Sequence, residues 1–118
     1  MIGIDLVSIA RIDQALARHR QRFLNRFLSP SEQALFVKPT SLAGAWAAKE
    51  ACAKALGVGI GAQLSFLDIL LSKNARGAPC ICLVPEKMRV FGVESLHVSI
   101  SHDGGFALAL VFVVQNSR

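Results

Sequence analysis

Two carboxylates stand where charge has little place. Asp5 interrupts the apolar, largely β-branched run from Ile2 to Ile9, and Glu50 lies within Trp46-Ala-Ala-Lys-Glu-Ala-Cys-Ala-Lys-Ala-Leu-Gly-Val-Gly59, a stretch built mostly of small apolar residues. An unpaired carboxylate is costly to bury, so the two together invite a shared cation. Magnesium suits them, because it takes one or two carboxylates and completes its octahedron with water and phosphate oxygens. Lys54 follows Glu50 by four residues on the same helix face, where it would help neutralise that phosphate, while Lys49 points about 100° away. A plainer account of Glu50 and Lys54 is an intrahelical ion pair on a solvated face, worth about 0.3 to 0.5 kcal/mol.

Other candidates are weaker. Gly57-Val-Gly-Ile-Gly61 would let a backbone approach a phosphate closely. It follows the C-terminus of a helix, however, and the phosphate-favouring end is the N-terminus; it also matches no Walker or dinucleotide pattern. His102, preceded by Ser99 and Ser101, stands where a strand meets a turn. It is either an ordinary hydrogen-bonding turn histidine or a contact to phosphate or substrate; a serine hydrolase would need a nucleophile elbow, and there is none. Cys52, Cys80 and Cys82 lack zinc spacing and read as structural filler, with Cys80 and Cys82 one pleat apart on the same side of a strand. Three thiols, an odd number, and a start with no basic leader lead us to expect a cytoplasmic protein.

The elements that must position these residues follow from pattern. Ile2 to Ile9 predicts a strand running into a helix near Ala10, in which Ile12, Leu16 and Phe23 repeat at helical spacing beside a stripe of Arg11, Arg18 and Arg22. Ser29-Pro-Ser-Glu32 is a helix start, with Ser29 as cap and Glu32 reaching back to the cap's amide, so Glu32 is assigned to capping rather than chemistry. Pro39 opens the helix that carries Glu50, and Gly57 ends it. Phe66 to Ser72 and Cys80 to Val84 predict strands joined by a turn at Asn74 to Gly77; Pro85 to Val93 predicts a short helix closed near Gly92. Leu96, Val98 and Ile100 alternate with polar residues, and Asp103-Gly104-Gly105 turns the chain into a last strand, Phe106 to Val114.

A length of 118 residues predicts one domain spanning 1–118, and folding would bury about two thirds of the surface of the unfolded chain. Composition is 53% hydrophobic, yet the longest apolar run, Phe106 to Val114, falls well short of the ~20 residues of a membrane helix. The surplus apolar surface points to an oligomer. Net charge is +5, concentrated between Arg11 and Arg26, where five arginines and His19 face the single acid Asp13; such a patch seeks an acidic partner.

Three segments in order carry a resemblance: Gly3-Ile-Asp-Leu-Val-Ser-Ile-Ala-Arg-Ile12, Trp46 to Ile60, and His97-Val-Ser-Ile-Ser-His-Asp-Gly-Gly-Phe-Ala107. Together they resemble the holo-acyl-carrier-protein synthase family of 4′-phosphopantetheinyl transferases, in its compact branch, and the likeness spans nearly the whole chain, including Leu28 to Glu32 and Gly77-Ala-Pro79. The resemblance implies an α+β fold, a small antiparallel sheet packed against a long central helix, assembled as a trimer with active sites at subunit boundaries. It implies transfer of the phosphopantetheine arm of coenzyme A to a serine of an apo acyl carrier protein, releasing 3′,5′-ADP, in fatty acid or polyketide biosynthesis. Asp5 and Glu50 match the family's magnesium ligands, and Lys54 a residue that meets the coenzyme phosphates. Ser101 and His102 match the Ser-x-Ser-His motif near the nucleotide, and Gly57 belongs to the turn beside it. The base for the serine is either Glu50 or a water on the metal. Arg11, Arg18, Arg22 and Phe23 are the candidates for docking the acidic carrier. Three positions depart from the family: Ser8 stands for a common acid, Val58 for a frequent threonine, and Ala45 for an arginine that helps hold the nucleotide.

Two other readings compete. A basic module binding nucleic acid through Arg11 to Arg26 would lack aromatic stacking positions there and leave Asp5 and Glu50 unexplained. A silent homologue that merely holds carrier proteins would have no use for both carboxylates.

Overall fold

The computed structural model describes residues 1–117. Strand β1 (Ile2–Ser8) leads into helix α1 (Ile9–Phe27), followed by the short α2 (Pro30–Leu35) and the long α3 (Pro39–Ala55). A 3-10 turn (Phe66–Asp68), the hairpin of β2 (Ile69–Lys73) and β3 (Pro79–Leu83), helix α4 (Pro85–Val90), and strands β4 (Val93–Asp103) and β5 (Phe106–Gln115) complete the order. The α+β expectation holds, with one refinement: the strands form two antiparallel sheets, β1-β5-β4 and β2-β3.

Helix α3 is the central element and lies across β1 and β5. Eleven of its residues are buried, seven of them alanines, so its sides are smooth and the strands approach closely. The strands answer in kind: Ala107, Ala109 and Val111 of β5 are wholly buried, while Phe106, Leu108, Leu110 and Phe112 between them face outward. At Gly3 the approach is closest. A Cβ there would overlap the carbonyl oxygen of Ala51 and stand 2.5 Å from the amide nitrogen of Ala55. Glycine at this position therefore sets how near β1 lies to α3.

Several boundaries differ from the sequence expectation for local reasons. Ser8 caps α1, accepting from the Arg11 amide at 3.4 Å, so the helix starts one residue earlier. Phe66 to Asp68 form a 3-10 turn rather than the start of a strand, because Ser65 and Asp68 make a capping box and pairing with β3 begins only at Ile69. Helix α4 stops at Val90, and Gly92 follows with a left-handed φ of 63°. Within α1, His19 leaves helical geometry (φ −146°, ψ 47°), which kinks the basic helix at its midpoint.

Candidate active site

The alternation of β1 places Gly3 and Asp5 on the side facing α3, and Ile2, Ile4 and Leu6 on the other, where each is more than half exposed. Asp5 thereby meets the last turns of α3. Its Oδ1 accepts a hydrogen bond from Lys54 Nζ at 2.8 Å, with the lysine half-exposed and the aspartate largely covered. This corrects the simple intrahelical account: the partner of Lys54 is Asp5 across the strand and not Glu50 one turn back. The contact is tertiary, set by the close packing at Gly3.

Asp5 and Glu50 line one cavity of about 400 Å³. Arg11, Ile12, Phe23 and Trp46 form its other walls. Glu50 is half-buried and takes part in neither ion pair found among the described residues. Burial, and then the neighbouring Asp5 carboxylate, push its pKa above the ordinary glutamate range, while Lys54 and Arg26 pull the other way. The cavity thus has a polar end, where two carboxylates crowd each other, and an apolar side. That side is built by an aromatic cluster: Phe23 stacks on Trp46 at 5.6 Å between ring centroids, and Phe27 meets Phe23 and Trp46, each at 5.1 Å.

The remaining expected residues lie apart from this cavity within the chain. Ser101 and His102, neighbours on β4, border a different hollow near Leu6 and Leu108. His102 also reaches a cavity of about 290 Å³ that opens beside Thr40, Ser41, Gly44 and Lys73. Gly57 ends α3 with φ 75° and nothing packed where a Cβ would sit. Arg18 and Arg22 are exposed on α1, where Arg22 Nη2 lies 3.0 Å from the Nδ1 of His19 at the kink.

Sequence pattern alone does not reveal the parts played by four residues. Trp46, first residue of the matched central segment, walls the cavity. Arg26, counted in the basic patch, acts electrostatically on Glu50. Lys49 and Glu32 form a buried ion pair at 2.9 Å, so Glu32 does cap α2, as expected, and does more. A charge at an inward position of an alanine helix was the available signal. The cysteines remain bland: burial pushes the Cys52 thiol up to about 12, against the pull of Lys49, so it stays protonated.

Residues 1–111 match the family model described as ACPS, the 4′-phosphopantetheinyl transferase superfamily. The chain belongs to this superfamily. It is 59% identical over 119 residues to the holo-[acyl-carrier-protein] synthase of Helicobacter pylori strain ATCC 700392 / 26695, covering 100% of both. Among solved structures it resembles Helicobacter pylori holo-[acyl-carrier-protein] synthase in complex with coenzyme A, at TM-score 0.95 and 58% identity, over 97% of this chain and 100% of that one. A holo-(acyl-carrier-protein) synthase from Bacillus anthracis in complex with CoA (3′,5′-ADP) matches at TM-score 0.80 and 37% identity, covering 98% and 96%. The three positions at which the sequence leads one to expect departures each have a place in this fold. Ser8 serves as the cap of α1, Val58 is half-buried against the core, and the methyl of Ala45 is wholly buried in α3.

Proposed function

We propose that this chain, acting as one domain, transfers the 4′-phosphopantetheine arm of coenzyme A to a serine of an apo acyl carrier protein, with release of 3′,5′-ADP. The observation that carries the reading is the meeting of Asp5, Glu50 and Arg11 around one cavity, with Lys54 tied to Asp5, in a chain of this superfamily. In the reaction the serine oxygen bonds to the phosphorus bearing the pantetheine arm, the bond from that phosphorus to the bridging oxygen breaks so that the oxygen leaves with 3′,5′-ADP, and the serine's proton passes to Glu50 or to a water.

The donor set fits magnesium. Two crowded carboxylates supply hard oxygens, the donors that magnesium takes in ones or twos while keeping positions for water and phosphate. Bound between Asp5 and Glu50, it would neutralise charge on the coenzyme's phosphates as the phosphorus changes partners. Asp5 and Glu50 hold that site, and Lys54, one hydrogen bond from Asp5 and half-exposed, can turn to a phosphate oxygen. The exposed arginines Arg11, Arg18 and Arg22 draw in an acidic carrier, while Phe23 and the cavity wall receive apolar surface beside its serine. Ser101, His102 and Gly57 serve the nucleotide portion of coenzyme A.

A homotrimer is part of the reading. Ile2, Ile4 and Leu6 stand directly across from Phe112, Leu110 and Leu108, so seven large apolar side chains, Phe106 included, pave one exposed sheet face. Burying that face against other copies would also cover Ser101, which stands across from Leu108. No helix among the described residues is long and apolar enough to cross a membrane. All three cysteines are free thiols, in keeping with a cytoplasmic enzyme serving fatty acid or polyketide synthesis.

Mass spectrometry of apo acyl carrier proteins incubated with the chain, coenzyme A and magnesium tests the proposal. Addition of the phosphopantetheine mass is expected. No addition on any of several carriers would refute it.

A further inference from the structure

Lys49 is wholly buried, and each of its three ammonium protons has an acceptor: the Phe27 carbonyl at 2.7 Å, Glu32 Oε1 at 2.9 Å and the Phe66 carbonyl at 3.0 Å. Glu32, 2% exposed, also accepts the Ser29 amide on Oε1 at 2.8 Å and the Leu71 amide on Oε2 at 2.7 Å. One ion pair therefore joins the last residue of α1, the cap of α2, the 3-10 turn, β2 and α3.

Such a junction is a poor way to gain stability, since well-packed apolar residues of similar volume often do as well or better than a buried pair. What it supplies is direction. The alanine faces of α3 let strands come close but offer few ridges to fix the helix along its axis. Lys49 fixes it from a position adjacent to Glu50. Its acceptor Phe27 closes the basic helix, and the Phe27 ring touches Phe23 and Trp46, which wall the cavity holding Glu50.

We propose that Lys49 and Glu32 are positioning residues that hold the carrier-docking helix α1 in register with the carboxylates of the active site. The inference rests on the docking role given above to α1. Neither residue reaches the cavity, so both act through Phe27, whose ring touches Phe23 and Trp46 of its wall. A displacement of about 1 Å between bound partners can cost about a hundredfold in rate. Loosening the pair should therefore weaken use of the carrier and leave the coenzyme's own contacts in place.

The test compares Glu32→Gln and the double variant Glu32→Leu/Lys49→Met with wild type, by thermal melting and by steady-state kinetics in which carrier and coenzyme A are varied separately. Arg22→Glu runs alongside as a probe of docking. The double variant should stay folded while kcat/KM for the carrier falls at least tenfold and KM for coenzyme A stays within twofold. If it does not fold, the same split in Glu32→Gln decides. Folded variants with carrier kinetics within twofold of wild type, or with equal losses on both substrates, would overturn the positioning role. If those variants are unchanged while Arg22→Glu raises the carrier's KM, positioning alone fails and docking stands. An unchanged carrier KM in Arg22→Glu would overturn the docking reading, and this proposal with it.

Discussion

Replacing Gly3 with alanine adds one methyl group at the point where strand and helix touch, and its effect can be worked out from the geometry. The new Cβ would stand 2.5 Å from the Ala55 amide nitrogen and overlap the Ala51 carbonyl oxygen. Both obstacles are backbone atoms of α3, so no side chain can rotate away. Ordinary contact needs about 3.5 Å, and β1 must therefore withdraw by more than about 1 Å, since the Ala51 oxygen is the nearer obstacle. Overpacking of this kind costs about 1 to 3 kcal/mol, and the rigidity of the obstacle favours the upper end. With an unfolding entropy of about 2.1 cal/mol/K per residue, about 250 cal/mol/K for 118 residues, a loss of about 3 kcal/mol lowers Tm by about 12 °C. Asp5 lies two residues on and shares the inward face, so it withdraws too, away from Lys54 and Glu50. Phosphopantetheine transfer should fall by about a hundredfold, and the magnesium concentration for half-maximal activity should rise. Thermal melting and a magnesium titration of transfer check both consequences. A Tm within about 3 °C of wild type together with unaltered magnesium dependence would refute the claim that Gly3 sets the site.

Three further outcomes are expected. Glu50→Gln should abolish transfer yet make the metal-free protein more stable at neutral pH. Burial and Asp5 raise the folded-state pKa of Glu50, so its contribution to stability is intact below the unfolded value and is lost as pH rises through the folded one; melts should converge in acid and separate in favour of the variant toward pH 7. Arg11→Glu, a charge reversal at the cavity rim, should raise the carrier's KM by about tenfold, with the coenzyme's KM little changed, and an equal rise in both would count against docking. Leu110→Lys, in the middle of the apolar sheet face, should dissociate the oligomer as read by light scattering, and an unchanged mass would show that this face is not the interface.

Much of the site was legible because the sequence places charge where only pairing can justify it. Asp5 and Glu50 stood out on that ground, and the structure brings both to one cavity. Capping of α2 by Glu32 was legible too, since its partners lie three residues apart. The second half of Glu32's work was not, because Lys49 and Leu71 are remote in sequence and no local pattern joins them. The same holds for Lys54, whose helical neighbour Glu50 was the nearer candidate until the strand crossing supplied Asp5. Strand ends at Phe66 were misread because apolar residues there look alike in a strand and in a capped turn. The kink at His19 falls where the apolar stripe skips a turn, with His19 and Arg20 between Leu16 and Phe23, but one polar turn in a basic helix does not by itself mark a break.

Strand β1 writes two messages in alternate letters. One set, Gly3 and Asp5, fixes distance and charge against α3; the other, Ile2, Ile4 and Leu6, paves the outer face. Substitution can edit one set without touching the other. A single-residue insertion or deletion cannot, because a period of two turns every later side chain to the opposite face. It would offer a carboxylate to the apolar patch and an isoleucine or leucine to Lys54. The reading frame of seven residues is thus constrained more tightly than any one of them, and change in this strand should be confined to replacement at fixed length.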